Sequence, residues 1–244
     1  MSGFSVFPVE GIPELHEGDD LAALILDRVT LEDHDVVVVA QKAVSKIEGR
    51  VVRLDDLEPS DRAIDIAAEG NEDPRRIEAI LREAKRVVRL RPPLVICETQ
   101  HGFICASAGV DASNTGEPGT LVLLPLDPDG SAVRLREEIR ERARRDVGVV
   151  ITDSFGRPWR QGTTDVAIGA AGVVVLQDLK GSRDPDGYEL HATVIAVADE
   201  VAGAAQLVTG KLGRVPVTIV RGLDLRGEGR ATDIPVPPEL DLFR

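Results

Sequence analysis

The chain has 244 residues, a formal net charge of −13, 43% hydrophobic residues and 29% charged ones. That balance fits a globular protein with a sizeable core, and the acidic excess argues against general nucleic-acid binding through a basic face. No apolar run approaches the roughly 18 residues of a membrane-spanning helix, and MSGFSVFPVEG lacks the basic and apolar regions of a secretory leader, so a cytoplasmic protein is expected.

Phe4–Val9 reads as a short strand ended by the turn Glu10-Gly11-Ile12-Pro13. Leu21–Leu26 follows an Asp cap and reads as a helix. Val36–Ala40 is an apolar run suited to a buried strand. It opens into a polar segment holding Gln41, Lys42, Ser45 and Lys46, either a ligand-bearing strand end or a solvated helix start. Asp61–Gly70 and Arg75–Lys85 read as helices, the second opened by Pro74. Arg86–Leu90, Leu94–Thr99 and Gly102–Ser107 read as strands, with His101 in the turn between the last two. Asp111–Asn114 reads as a polar turn after an apolar strand.

Leu121–Leu124 is a short strand, and Ser131 is expected to cap a charged helix reaching Asp146. The Arg/Glu spacing of that helix is the pattern of a solvated face. Val147–Thr152 is a strand delivering the densest polar segment of the chain, Asp153 to Asp165, taken as a site loop; the plain alternative is a surface hairpin. Glu189–Val197 reads as a strand and Ala198–Thr209 as a small-residue helix with Asp199 and Glu200 in its first turn. Pro216–Arg221 closes the series. Strands and helices mix without steady βαβ alternation. The expected fold class is therefore mixed α/β (α+β), with irregular mixed sheets and flanking helices, and neither a Rossmann domain nor a TIM barrel.

The lysines number five, at 42, 46, 85, 180 and 211. Cys97 and Cys105 lie in apolar surroundings and read as buried thiols of a reducing compartment. There is no zinc spacing, phosphate loop, GxGxxG or GxSxG elbow. Three segments nevertheless share one design, an apolar strand followed by a polar cluster: Gln41–Lys46, Asp111–Asn114 and Asp153–Gln161. If the strand ends converge, lysines, carboxylates, hydroxyls and arginines meet in one cleft. One or two carboxylates with phosphate oxygens are the usual holders of Mg²⁺ or Mn²⁺. Residue chemistry alone thus leads to a metal-assisted site for an anionic, phosphorylated ligand.

At these residues the sequence resembles the F420-0:L-glutamate ligase (F420 γ-glutamyl ligase) family, bacterial type. The matching segments are FPVEGIPEL, VSKIEGRVVRL, AGVDASN, LLPLDPDGSA, VVITDSFGRPWRQGTTDVAIGAAG, VADEVA and VRGLD, in the family's order. The resemblance implies a family fold over residues 1–234, as one unit or two subdomains, with 235–244 as a Pro-rich tail or linker. It implies GTP-dependent activation of the F420-0 carboxylate as an acyl phosphate, attack by L-glutamate and release of GDP and phosphate, with γ-linked extension open. Mg²⁺ or Mn²⁺, and K⁺ as an option, are the implied cations.

The same resemblance places nucleotide contacts on Gly11, Ile12, Pro13, Glu14, Gln41, Lys42, Lys46, Asn114, Thr209, Gly210 and Lys211. Metal ligation falls on Asp111, Asp153 and Ser154, and the catalytic set is Asp111, Asp153 and Lys46. Lys211 departs from the pattern, because archaeal members tend to carry Glu or Gln there and a protonated lysine cannot ligate a cation; phosphate contact is its expected role. Arg157 and Arg160 are candidates for the coenzyme phosphate or the glutamate carboxylates. A homodimer is implied, and so is fusion to a flavin-binding, nitroreductase-like domain in some members. Two other readings stand beside this one, a metal-dependent ligase for a different acidic cofactor and a nucleotide-binding module without catalysis.

Overall fold

Two valine-rich runs, Val36–Val39 and Val147–Val150, the second interrupted by Gly148, lack polar alternation, and such runs stay dry only in a sheet covered on both faces. A computed structural model describes residues 3–242. Its elements in chain order are β1 (Ser5–Pro8), α1 (Leu21–Leu26), β2 (Val36–Ala40), α2 (Gln41–Ile47), β3 (Val51–Arg53), α3 (Asp61–Gly70), α4 (Pro74–Glu83), β4 (Ala84–Arg91), β5 (Leu94–Thr99) and β6 (Ile104–Ala106). There follow β7 (Thr120–Val122), α5 (Pro128–Ala143), β8 (Gly148–Arg157), β9 (Arg160–Ala171), β10 (Gln177–Asp178), β11 (Val194–Ile195), α6 (Val197–Thr209) and β12 (Val217–Arg221).

The main sheet has the order β1-β12-β2-β8-β9. β2 and β8 pair in parallel, and the other neighbours are antiparallel. β1, β2 and β8 therefore run the same way and end at one edge of the sheet. The pleat divides the valines. Val37, Val39, Val149, Ile151, Val217 and Ile219 pack against α1 and α5. Val36, Val38, Val150 and Val220 pack against Ala198, Val201 and Ala205 of α6. Each such fully buried side chain contributes roughly 1.5–3 kcal/mol. The expected mixed fold is observed, with smaller sheets of β4-β5-β6, β3-β7 and β10-β11 around the main one.

A separate core lies between residues 51 and 123, where Ala63, Ile66, Ile77 and Ile80 of α3 and α4 cover Val95 and Cys97. Cys97 and Cys105 oppose each other across β5 and β6 as buried free thiols, and burial pushes the Cys105 thiol up to about 12. Ser60 caps α3 through Ala63 N and donates its own hydroxyl to Glu78 of α4 at 2.6 Å.

Several boundaries differ from expectation. Gln41–Ile47 is a helix begun without any linking loop, and Gln41, Ala43, Val44, Ser45 and Lys46 are buried rather than solvated. α5 starts at Pro128 under an Asp127 cap and ends at Ala143, so Ser131 lies within the helix. The Asp153–Asp165 segment is no loop, because β8 and β9 run through it as a long hairpin. Only Val194–Ile195 of the expected 189–197 strand is extended in a sheet. The Pro-rich stretch 235–244 contains a single-turn 3₁₀ helix at Pro238–Leu240, and its last two residues lie outside the described ones.

Glu78 provides a pH-dependent test of the α3–α4 lobe. Hydrogen bonds from the Ser60 hydroxyl and backbone N–H, with Arg82, lower its carboxyl from 4.5 to about 2. A depressed folded pKa gives stability that is full above the unfolded value and lost as pH falls through the folded one. Glu78→Gln should cost on the order of 2 kcal/mol at pH 7. Urea melts should show the difference from the wild type shrinking between pH 4.5 and pH 2.

Candidate active site

The shared direction of β1, β2 and β8 decides where the polar clusters meet. Their carboxyl ends, the entry to β12 and the end of α6 surround one cleft of about 460 Å³. Strand carboxyl ends at such an edge are where open α/β sheets hold ligands. Of the residues singled out from the sequence, Ile12, Pro13 and Glu14 enter it after β1, and Gln41, Lys42 and Lys46 from α2. Asn114, Asp153, Ser154, Thr209, Gly210 and Lys211 complete the group. Gly11 stands outside the lining, its carbonyl accepting from Arg28 Nε at 2.8 Å. Asp111 is also outside the lining but is bound to it through Lys42.

Lys42 and Lys46 are one helical turn apart, so they project on the same side of α2. Lys42 Nζ is 2.6 Å from Asp111 Oδ2 and donates to Ser113 Oγ at 2.9 Å. Lys46 Nζ pairs with Glu14 Oε1 and donates to the Asn114 carbonyl at 2.9 Å. Asp111 is held by a two-way backbone bridge to Val122, and its Oδ1 accepts from Ser113 N at 2.7 Å. Burial pushes the Asp111 carboxyl up, but the bonds from Lys42 and Ser113 outweigh it and leave it lowered.

Asp153 is placed by a β-bulge. Ile151 faces Gly169 but Thr152 faces Ala167, so Ile168 is an extra residue in β9. The Ala167 N–H donates to Asp199 Oδ1 of α6 at 2.9 Å, and Ala170 N donates to Asp129 Oδ1 of α5 at 2.8 Å. Asp199 therefore holds the bulge as well as starting a helix. Alternation along β8 sets Asp153 on the Ile151 face and Ser154 on the α6 face. Asp153 keeps some surface open to the cleft, but the protein packed around it excludes most water. Burial raises its carboxyl to about 7, Ser154 N–H opposes the rise, and the charges of Asp111 and Asp165 add to it while Lys42 counters.

A family model described as F420-0:Gamma-glutamyl ligase matches residues 11–222. The chain belongs to this family. It is 46% identical to the coenzyme F420:L-glutamate ligase of Archaeoglobus fulgidus, over 98% of this chain and 96% of the relative. The proteins of the same name from Methanopyrus kandleri and Methanothermobacter thermautotrophicus are 45% and 42% identical, over 99% or more of both chains in each case.

In this member of the F420-0:gamma-glutamyl ligase family, the fit to a divalent cation can be judged from the donor set. No trio of His, Cys, Asp or Glu is gathered for a metal among the described residues. A closed all-protein cage is thus missing from them. Asp153 and Asp111 lie close enough for their charges to interact, and Ser154 adds a hydroxyl at the cleft. Asp111 and Asp153, completed by phosphate and water oxygens, suit Mg²⁺ or Mn²⁺, and Ser154 offers its oxygen to the same cleft from the other face of β8. Such a cation would favour the ionised form of Asp153 that burial disfavours.

Gln41, at the start of α2, is buried beside the two lysines. It is 1% exposed, its Oε1 accepts from Ser45 Oγ at 2.8 Å, and its Nε2 is buried without an acceptor.

Asp165, Gln206 and Arg214 also line the cleft and were not assigned from the sequence. Asp165 was visible as one more polar residue of the hairpin. Gln206 sits among the small residues of α6 and gave no signal. Arg157, Arg160 and Gln161 lie at the exposed hairpin tip, outside the cleft lining.

The bulge depends on close contact between β9 and α5. A Cβ on Gly169 would lie 2.4 Å from the Pro128 carbonyl oxygen, a backbone atom with little freedom to move. Gly169→Ala should lower stability by on the order of 1–3 kcal/mol, read as a lower urea midpoint at unchanged slope.

Proposed function

We propose that the cleft binds GTP with Mg²⁺ or Mn²⁺ and joins L-glutamate to the terminal carboxylate of coenzyme F420-0. One observation carries the reading: Lys42, Lys46, Asp153 and Ser154 face a single cleft, with Asp111 bonded to Lys42 at its edge. Relatives named coenzyme F420:L-glutamate ligase support the substrate class. The unpartnered Gln41 amide supports a ligand seated beside α2.

The chemistry runs in two steps. The F420-0 carboxylate attacks the γ-phosphorus of GTP and GDP leaves, giving an acyl phosphate. The glutamate ammonium gives a proton to a carboxylate, and the free amine then attacks the acyl carbon, forming the amide and expelling phosphate, with a second proton released from the nitrogen to water. Charge on the transferred phosphoryl group must be neutralised throughout. Lys42 and Lys46 bring two cations to the cleft, each held in place by a carboxylate. Asp111 with Asp153, at one face of β8, and Ser154, at the other, would hold divalent cations that supply Lewis-acid polarisation of the phosphate oxygens. Lys211 and Arg214 stand on the rim as exposed cations for the anionic substrates.

The reading extends to a homodimer. Leu207 and Leu212, 88% and 94% exposed next to the cleft, are apolar groups that a second copy would cover.

The test is an incubation with F420-0, L-glutamate, GTP and Mn²⁺, with and without K⁺. The expected product is one glutamate heavier, with GDP and phosphate released in equal amount. Asp111→Asn and Asp153→Asn should each lower kcat by about two orders of magnitude or more. Turnover only with other acids would favour a ligase for a different cofactor. Tight GTP binding without turnover under any condition would favour a binding module.

A further inference from the structure

Asp165 lies directly opposite Ser154 in the β8–β9 ladder, and both line the cleft. Directly opposed residues of an antiparallel pair share a face, so the two side chains meet. The Ser154 hydroxyl donates to Asp165 Oδ1 at 2.6 Å, at the short end for an O–H···O bond. The backbone of Asp165 is itself anchored, its N–H donating to Gln206 Oε1 of α6 at 3.0 Å. A serine hydroxyl has one proton and two acceptor lone pairs. With its proton committed to Asp165, Ser154 can offer the cleft only lone pairs.

We propose that Asp165 is a positioning residue that locks the Ser154 hydroxyl as an acceptor, so that its oxygen is presented to a divalent cation rather than donated to a neighbouring oxygen. This rests on the reading of Ser154 as a cation ligand given under the proposed function. Asp165 acts through Ser154 and is not itself a ligand. Gln206 extends the chain of support, tying the hairpin that carries Ser154 to the last turns of α6. Outer groups of this kind typically change metal affinity by about 10–100-fold when removed.

Mn²⁺ binding to the full chain, followed by the electron paramagnetic resonance signal of free Mn²⁺, tests the proposal without reference to turnover. Asp165→Ala should weaken binding about tenfold. Asp165→Asn retains an acceptor oxygen for the same hydroxyl and should stay within about threefold of the wild type. Ser154→Ala should weaken binding as Asp165→Ala does, and the double variant should lose little more than either, because the two act as one unit. Equal losses in Asp165→Asn and Asp165→Ala would mean that the charge itself matters, which overturns the proposal. A loss in Ser154→Ala with none in Asp165→Ala overturns the positioning role alone. No loss in Ser154→Ala, or no Mn²⁺ binding by the wild type, overturns the cation-ligand reading and the proposal with it. Should Asp165→Ala fail to fold, the Asp165→Asn and Ser154→Ala pair still decides between charge and positioning.

Discussion

The parallel pairing of β2 with β8 is the constraint from which the site follows. Both strands are fully apolar in their middle and must be covered on two faces, by α1 and α5 on one side and α6 on the other. Parallel pairing sends both carboxyl ends to one edge, where the covering helices no longer enclose the chain. There the sequence turns polar in each strand, at Gln41 and at Asp153. The cleft is the consequence of two buried strands ending together.

Within that cleft the charges are arranged in pairs. A chain with a net charge of −13 repels anions at long range, so local neutralisation matters more than the overall field. Lys42 with Asp111 and Lys46 with Glu14 place cation and carboxylate in contact, which fixes the lysine heads while leaving the site close to neutral. Asp153 is treated differently. It lies near Asp111 and Asp165, and burial with these like charges makes its ionised form costly. Among the described residues Asp111 and Glu14 thus each pair with a lysine, whereas Asp153 and Asp165 face the cleft without an ion pair.

Other acids serve the scaffold. Asp129 is buried in α5 and accepts from the backbone of Ala170, Ala231 and Thr232, so one carboxylate joins the helix, β9 and the C-terminal segment. Asp199 accepts the Ala167 N–H released by the bulge. Buried polar groups need such partners, and a backbone N–H left without one would cost about 1–3 kcal/mol. The acidic residues nearest the cleft thus divide into those that keep the bulged hairpin in register and those that face the cleft.

Much of the fold was legible in the sequence. Val36–Ala40 and Val147–Thr152 read as buried strands, because they are short, rich in β-branched residues and lack the alternation of a half-exposed strand. The clusters at 41–46, 111–114 and 153–161 were likewise recognisable, since polar residues follow directly on apolar ones. Their meeting was not legible, because convergence depends on strand order and direction, and both are set by long-range pairing. The same limit hid the burial of the Gln41–Ile47 helix, which read as solvated and whose polar residues are covered by distant segments. It also left the β8–β9 hairpin as only the plain alternative to a site loop, because polar strands are told from a loop by their pairing. The sequence by itself determined which residues must be dry and which types of chemistry the chain carries. Only the tertiary structure decided which of them touch: Asp165 became the partner of Ser154 through a register that includes a bulge, and a one-residue change in register would turn every side chain beyond it to the other face.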